Sequence, residues 1–393
     1  MQTLILTVTL FVSLFGLFAL AAAVTFSMDG GRGQSAPALT APIALIIVGF
    51  RHGHRNPTQF IKNDNTHETW AWEGASQLTT IGKRQAYSLG KFVRRRYGDL
   101  VDTAFFPWQA VAYSSSADRC QQTLQTVMAG LFEPAGRSVW NPNLPWQPVP
   151  YRIDDPLLRM YSVDCPAYQR VYANISSDQT PQAVEWLARE KNLSEYVARH
   201  TGLDPSLSDL ADVADNLSSM KLRGAALPRW VTSPDLAGYP PKDMYDDVMQ
   251  FAEAHQIMCA DDPPCARIMA GLWLNQIIDI LQQKASARSD KPLAHFYAAH
   301  TETVLSLIRL VQAEDVHETP PSAGFILEFT DQPEPALRFV FHQAHPEDPD
   351  LRLARVERLA YCRREHWCPL HKFITNVRHA SFDDWKRACQ LIS

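Results

Sequence analysis

The sequence has no excess of basic residues, no internal repeat and no low-complexity block. Its 37 Lys and Arg residues are outnumbered by 42 Asp and Glu residues, which gives a formal net charge of −5. A general nucleic-acid binder needs a basic face to neutralise phosphates, so this balance argues against that class. The chain has 393 residues, of which 46% are hydrophobic and 20% charged, and this composition favours a globular enzyme over a disordered protein.

One long hydrophobic run, in residues 1–24, has no counterpart later in the chain. It ends in Ala21, Ala22 and Ala23, small residues of the kind that signal peptidase requires, so we expect a signal peptide cleaved between Ala21 and Thr25. No Lys or Arg precedes the run, and its length would also suit an uncleaved membrane anchor. Residues 25–41 are rich in Gly, Ser and Ala and are typical of a linker. Once the signal is cleaved, we expect no membrane span.

Cysteine usage indicates an oxidising compartment. There are seven cysteines, an odd number that leaves at least one thiol free or paired between chains. Cys259 and Cys265 enclose five residues, as do Cys362 and Cys368, and this spacing suits short local loops. Zinc ligands are usually closer in sequence, so disulfides are the favoured interpretation. Three acceptor sequons predict a glycosylated, exposed region; they begin at Asn174, Asn192 and Asn216.

The fold class follows from buried strands that alternate with helices. Residues 43–50 form a continuous β-branched, apolar run, which is typical of a strand covered on both faces of a parallel sheet. Further strands are expected at 109–114 and 295–299, and helices at 79–97, 118–132 and 265–287. We therefore predict an α/β core with a mostly parallel central sheet flanked by helices, formed by residues 42–150 and 261–393. Residues 151–260 look largely helical and polar, and we predict an inserted helical cap there.

Polar residues follow three of these strands directly. The segments are 51–55, 114–119 and 300–302. Open α/β sheets bind ligands beyond the carboxyl ends of their strands, so we expect these segments to converge on one site.

The residue types in these segments suit phosphate chemistry. The guanidinium groups of Arg51, Arg55 and Arg119 match pairs of phosphate oxygens and stay charged at any relevant pH. Nearby cations should lower the pKa of His52, so that a neutral imidazole survives at acidic pH and can attack phosphorus. Phosphoryl transfer also needs an acid for the leaving oxygen, and Glu302 is the best candidate. No metal or other cofactor is then required.

Four short motifs stand at or near the expected site. They are Arg51-His-Gly-His-Arg-Asn-Pro57, Gln77-Leu-Thr, Ser-Ser-Ala-Asp-Arg119 and Phe-Tyr-Ala-Ala-His300. The first matches the signature Arg-His-Gly-x-Arg-x-Pro of the histidine acid phosphatases, a branch of the histidine phosphatases (branch 2), and the others are similar to segments of the same family. The resemblance is strongest to its prostatic and lysosomal members. The resemblance extends over nearly all of residues 43–389.

The resemblance implies particular roles for these residues. His52 would be the nucleophile that becomes a phosphohistidine, the three arginines would hold the phosphate, and His300 would be the second histidine that contacts it. The implied fold is an α/β core with a helical cap. The expected substrate is a small phosphomonoester or a phosphoprotein, the expected location is secreted or lysosomal, and a homodimer is an open alternative.

Family disulfide patterns suggest that Cys165 pairs with Cys389, and Cys362 with Cys368. With Cys259 and Cys265 as a third pair, Cys120 would be a buried free thiol.

One position departs from the family pattern. The proton-donating Asp that usually follows the second histidine is replaced by Thr301, with Glu302 next. The multiple inositol polyphosphate phosphatases read His-Ala-Glu at this point and are active, so activity is expected. The alternative is a secreted binding protein that has lost its chemistry through this change. A cytosolic phosphoglycerate mutase relative would share the Arg-His-Gly core, but the signal segment and sequons argue against it.

Overall fold

The computed structural model describes residues 42–252, 254–286 and 292–392. The predicted signal peptide and linker lie outside these residues. In the described part of the chain, no helix is both long and apolar enough to cross a membrane.

A mixed sheet carries the fold. Its strands in the described residues are β1 Leu45–Arg51, β2 Ala110–Ser114, β3 Arg152–Ile153, β4 Ala294–Ala299, β5 Gly324–Thr330, β6 Ala336–Ala344, β7 Arg352–Glu357 and β8 Cys368–Pro369. Their order is β3-β2-β4-β1-β5-β6-β7, with β8 paired to β6. The strands β3, β2, β4 and β1 are parallel, and the strands from β5 onward extend the sheet antiparallel. The predicted α/β class with parallel central strands is confirmed.

The described residues also form helices, some of which flank this sheet. They are α1 His67–Trp70, α2 Thr80–Tyr97, α3 Asp118–Leu131, α4 Asp155–Leu158, α5 Pro166–Ser176, α6 Pro181–Arg189, α7 Lys191–Thr201, α8 Leu207–Leu222, α9 Arg229–Thr232, α10 Tyr245–Met249, α11 Ala254–Asp261, α12 Pro263–Ala285, α13 Thr301–Leu310, α14 Leu370–Val377 and α15 Trp385–Ala388.

Both faces of the sheet are covered because successive side chains of a strand point to opposite sides. Ile46, Val48 and Phe50 of β1 pack with the apolar faces of α2 and α3. Leu45 and Ile47 pack on the other side with α12 and α13. All seven residues of β1 are buried, as the apolar run predicted.

The parallel pairing brings three strand ends to one edge of the sheet. Arg51 is paired with Ala299, and Ser114 with Ala298. The backbone N–H of His52 continues this pattern by donating to the carbonyl of Ala299 at 3.0 Å. The side chains that follow β1, β2 and β4 therefore leave the sheet together, as predicted.

A second apolar core lies away from the sheet. It is built mainly from helices between residues 183 and 251, and it also includes Trp70 and Ala71 from the segment after β1. The predicted cap boundary at residue 151 is wrong at its start, because Arg152 and Ile153 pair with β2 in the central sheet. A two-residue strand is too short to show the alternation that identifies strands in a sequence.

Six cysteines form three disulfides, Cys165–Cys389, Cys259–Cys265 and Cys362–Cys368. These are the three expected pairs, and Cys120 is a buried free thiol. The Cys165–Cys389 bond joins the start of α5 to the C-terminal segment.

Removal of the Cys165–Cys389 bond should destabilise the protein more than removal of Cys362–Cys368. The first bond spans 224 residues and the second 6, and a longer closed loop restricts the unfolded chain more. Chain entropy predicts a difference of about 3 kcal/mol in the free energy of unfolding. Denaturant unfolding of the two double Cys→Ser variants measures this difference. If both variants lose the same free energy of unfolding, contacts in the native state determine the loss instead.

The three sequons differ in accessibility. Asn174 and Asn192 are exposed, so their predicted glycosylation stays a prediction. Asn216 is 1% exposed, and its Nδ2 donates to the carbonyls of Gln59 at 2.7 Å and Asp212 at 2.8 Å. The prediction of a glycan on Asn216 is wrong for the folded chain, because there is neither space nor a free amide for it.

Candidate active site

The loop that follows β1 is held tightly against the start of α2. Thr79 caps this helix, and its Oγ1 accepts from the N–H of Gly82 at 3.1 Å. A Cβ on Gly53 would collide with the carbonyl of Gly82, and one on Gly82 would collide with the carbonyl of His54. Gly53 is therefore required by this close packing of two backbones.

His52 is buried and has a defined orientation. Its Nδ1 lies 2.8 Å from the carbonyl oxygen of Gly53. A carbonyl can only accept, so Nδ1 carries the proton and Nε2 keeps its lone pair. The backbone is fixed as well, because the N–H of Ser322 donates to the carbonyl of His52 at 2.9 Å. Nε2 is thus the ring nitrogen that carries the lone pair.

The predicted arginines surround this imidazole. Arg51 is 6% exposed, and its Nη1 donates to the carbonyl of Thr319 at 2.7 Å. Arg55 Nη1 donates to the carboxylate of Asp215 at 2.6 Å. The third, Arg119, is in the first turn of α3, and its buried Nε has no hydrogen-bond partner among the described residues.

His300 is the link between β4 and α13, and it lies beside His52 with 5.5 Å between ring centroids. Arg119 Nη2 is 3.3 Å from His300 Nδ1, and Ser115 Oγ is 2.9 Å from His300 Nε2. A guanidinium only donates, so Nδ1 is the acceptor and the neutral ring carries its proton on Nε2. In this arrangement His300 fixes the guanidinium of Arg119, and Ser115 fixes His300.

Burial and positive charge act on both imidazoles in the same direction. Burial lowers the pKa of His52 well below its usual value, and Arg119, Arg51, His300 and Arg55 lower it further. The pKa of His300 is lowered by burial, then by Arg119 and Arg159. The expectation of a neutral His52 at mildly acidic pH agrees with these surroundings.

Glu302 is in the first turn of α13, directly after the buried Thr301. It is partly buried, and it forms no ion pair in the part of the chain that the structure describes. Burial raises the pKa of the Tyr161 phenol, and the negative charge of Glu302 raises it further. The Tyr161 ring packs edge-on against His300 at 5.5 Å. Glu302 is therefore close to Tyr161, on the His300 side of the site.

His54 has two structural partners. Its Nδ1 is 2.9 Å from Thr79 Oγ1, and its Nε2 is 3.3 Å from Ser219 Oγ. Burial lowers its pKa to about 4, with smaller and opposing effects from Asp215 and Arg223. These contacts support a structural role for His54 in the loop that follows β1.

Asp215 is a site residue that the sequence did not indicate. A cavity of about 440 Å³ lies beside Arg55 and is lined by Asp212, Asp215 and Glu318, among other residues. Burial and the charge of Asp215 raise the pKa of Asp212 to about 6. Both aspartates come from α8, more than 150 residues from Arg55 in sequence, so no local pattern could have connected them.

Arg159 is the second such residue. It follows α4, its Nη1 donates to Ser116 Oγ at 3.4 Å, and its guanidinium lies over the Tyr161 ring at 5.4 Å. The only sequence signal was its position six residues after β3, and that strand was too short to be recognised.

In residues 42–252, 254–286 and 292–392, no group of three or more His, Cys, Asp or Glu side chains is placed to hold a metal ion.

Two histidines and several arginines at the carboxyl edge of a parallel sheet are typical of a phosphate-binding site. Comparison with known families identifies the class of protein. Residues 44–342 match the sequence profile of the histidine phosphatase superfamily (branch 2). The chain belongs to this family, and the predicted family membership is confirmed.

Named relatives and solved structures are similar to most of the chain. The human lysosomal acid phosphatase is 26% identical over 367 residues, which covers 91% of this chain and 82% of that protein. The bovine prostatic acid phosphatase is 27% identical over 360 residues, covering 89% of this chain and 88% of the relative. The phytase of Hafnia alvei in complex with tartrate has a TM-score of 0.65 at 14% identity, covering 90% of this chain and 99% of that one. At that identity the likeness shows the fold alone.

Proposed function

We propose that this chain is an acid phosphatase that hydrolyses phosphomonoesters through a phosphohistidine on His52. The orientation of the His52 ring carries the proposal. Its Nδ1 is bonded to the Gly53 carbonyl, which leaves the Nε2 lone pair for attack on phosphorus. The acid phosphatases among its relatives support the general activity.

The proposed reaction has two displacements. In the first, Nε2 forms a bond to phosphorus, the bond from phosphorus to the ester oxygen breaks, and the carboxylic acid of Glu302 protonates the leaving alkoxide. In the second, water attacks the phosphohistidine, the P–N bond breaks, and the Glu302 carboxylate takes up the proton of the water. Arg51, Arg55 and Arg119 stabilise the charge on the phosphoryl oxygens. His300 holds Arg119 in place and completes the phosphate site.

Several features support a secreted or lysosomal location. They are the predicted signal segment, the three disulfides, and the lysosomal and prostatic acid phosphatases among the relatives. We further propose that the helices between residues 166 and 251 form the cap and that Asn174 and Asn192 carry glycans.

Hydrolysis of a chromogenic phosphomonoester near pH 5 tests the proposal. Purified, folded protein should release phosphate without added metal, and metal chelators should leave the rate unchanged. A protein that binds phosphate but shows no turnover would instead favour the binding-protein alternative that the Thr301 replacement raised.

The value of kcat/KM should not fall when the pH is lowered through 6.5, the usual pKa of a histidine. Burial and the surrounding cations lower the pKa of His52, so its neutral, reactive form persists below the usual histidine range. Arg119 makes the largest contribution after burial, and Arg119→Gln should therefore raise the pKa of His52 and move the acidic limb to higher pH. The measurement is kcat/KM from pH 3.5 to 8 for both proteins. An acidic limb near pH 6.5 in the unmodified protein would contradict this account.

A further inference from the structure

Arg159 is a residue of the site to which the proposed mechanism gives no role. Its guanidinium is over Tyr161, whose ring packs on His300, and its Nη1 reaches Ser116, the neighbour of Ser115. These contacts place it at the carboxyl edge of the sheet.

The guanidinium of Arg159 has no close carboxylate partner among the described residues. It forms no ion pair with a carboxylate in the described residues, and its Nε is buried without a hydrogen-bond partner. Arg119, which is close enough for the two charges to interact, also has a buried Nε without a partner. Two cations held near each other in partly buried surroundings are costly unless an anion lies between or beside them.

The position of Arg159 relative to the two histidines defines its side of the site. The charges of Arg119, Arg51 and Arg55 act on both His52 and His300. The charge of Arg159 acts on His300 and Tyr161. In a displacement at phosphorus, the leaving oxygen departs opposite the attacking atom. The proposed acid, Glu302, protonates the leaving oxygen, and both Glu302 and Arg159 lie near Tyr161. The proposed role of Glu302 therefore puts Arg159 on the side of the leaving portion of the substrate.

We propose that Arg159 binds a carboxylate on the leaving group of the substrate, next to the ester oxygen. This inference rests on the proposed phosphatase function and assigns a substrate class to it, the phosphorylated hydroxy acids. A guanidinium matches the two oxygens of a planar carboxylate, and a charge-assisted bond of this kind discriminates well against a neutral group. The three arginines around His52 remain available for the phosphoryl group.

Turnover of a matched substrate pair provides the first test. 2-Phosphoglycerate and glycerol 2-phosphate differ only in a carboxylate that replaces a hydroxymethyl group. We expect the unmodified protein to favour the first by about tenfold in kcat/KM, mainly through KM, since one charged hydrogen bond is of that order. Arg159→Gln should remove most of this preference, and Arg159→Lys should restore part of it. Arg152→Gln, an exposed arginine outside the site, is the matched control and should keep the preference.

Binding of two phosphonates provides a test that needs no catalysis. Calorimetry should show that phosphonoacetate binds about tenfold more tightly than ethylphosphonate, and that Arg159→Gln abolishes the difference. No turnover together with this binding pattern would overturn the proposed phosphatase function but not the carboxylate site. Arg159→Gln could instead lower kcat/KM equally for both esters and the affinity equally for both phosphonates. Arg159 would then only support the fold or hold the phosphoryl group, and that result would overturn the inference.

Discussion

His52→Ala is expected to lower kcat by at least about 10⁴-fold, while the protein still binds inorganic phosphate. The imidazole is the only protein group that the proposed reaction bonds to phosphorus, and water cannot replace it in the first displacement. Arg51, Arg55 and Arg119 remain in the variant, so a large part of the attraction for the anion should persist.

The phosphoenzyme makes this prediction specific. Rapid acid-free quenching of the unmodified protein with a radiolabelled ester should trap a phosphoryl group that is labile to acid and stable to base, as a phosphohistidine is. His52→Ala should trap none. His371→Ala, which removes an exposed histidine on α14, is the matched control and should label as the unmodified protein does. Labelling of the His52 variant would assign the nucleophile to another residue.

The part of the site that could be predicted from the sequence is the part that local rules determine. The apolar run before Arg51 predicts a buried strand, and parallel strands of a sheet end at one edge. Three short segments could therefore be assigned to a single site before their distances were known.

The remaining residues depend on tertiary contacts that leave no local pattern. Asp215 reaches Arg55 from a helix in a different apolar core. Arg159 follows a strand of two residues, which pairs with β2 although its sequence has no strand period. Asn216 satisfies a sequon but is buried by the packing of α8 against the segment that contains Gln59. A sequence shows that a residue type is present, whereas burial and partners depend on elements far along the chain.

Glu302→Gln is expected to slow hydrolysis of an unactivated alkyl ester by about 10²–10⁴-fold. The leaving alkoxide is a strong base and needs a proton as its bond to phosphorus breaks, and an amide cannot supply one. A nitrophenolate leaves without that help, so 4-nitrophenyl phosphate should slow by about tenfold or less. The measurement is kcat/KM for both esters, together with the rate at which the phosphoenzyme forms.

Thr301 provides the means to separate this role from a structural one. A carboxylate in the first turn of α13 also complements the helix dipole, so Glu302 could stabilise the helix without taking part in the reaction. In that case Glu302→Gln would slow both esters equally and lower the melting temperature.

The double variant Thr301→Asp/Glu302→Gln keeps an acidic residue in the first turn and returns it to the position that the family usually uses. If Glu302 is the acid, the double variant should recover much of the rate on the alkyl ester, because a carboxylic acid is again available beside His300. If the double variant recovers thermal stability but not that rate, a carboxylic acid beside His300 is not the proton donor to the leaving alkoxide.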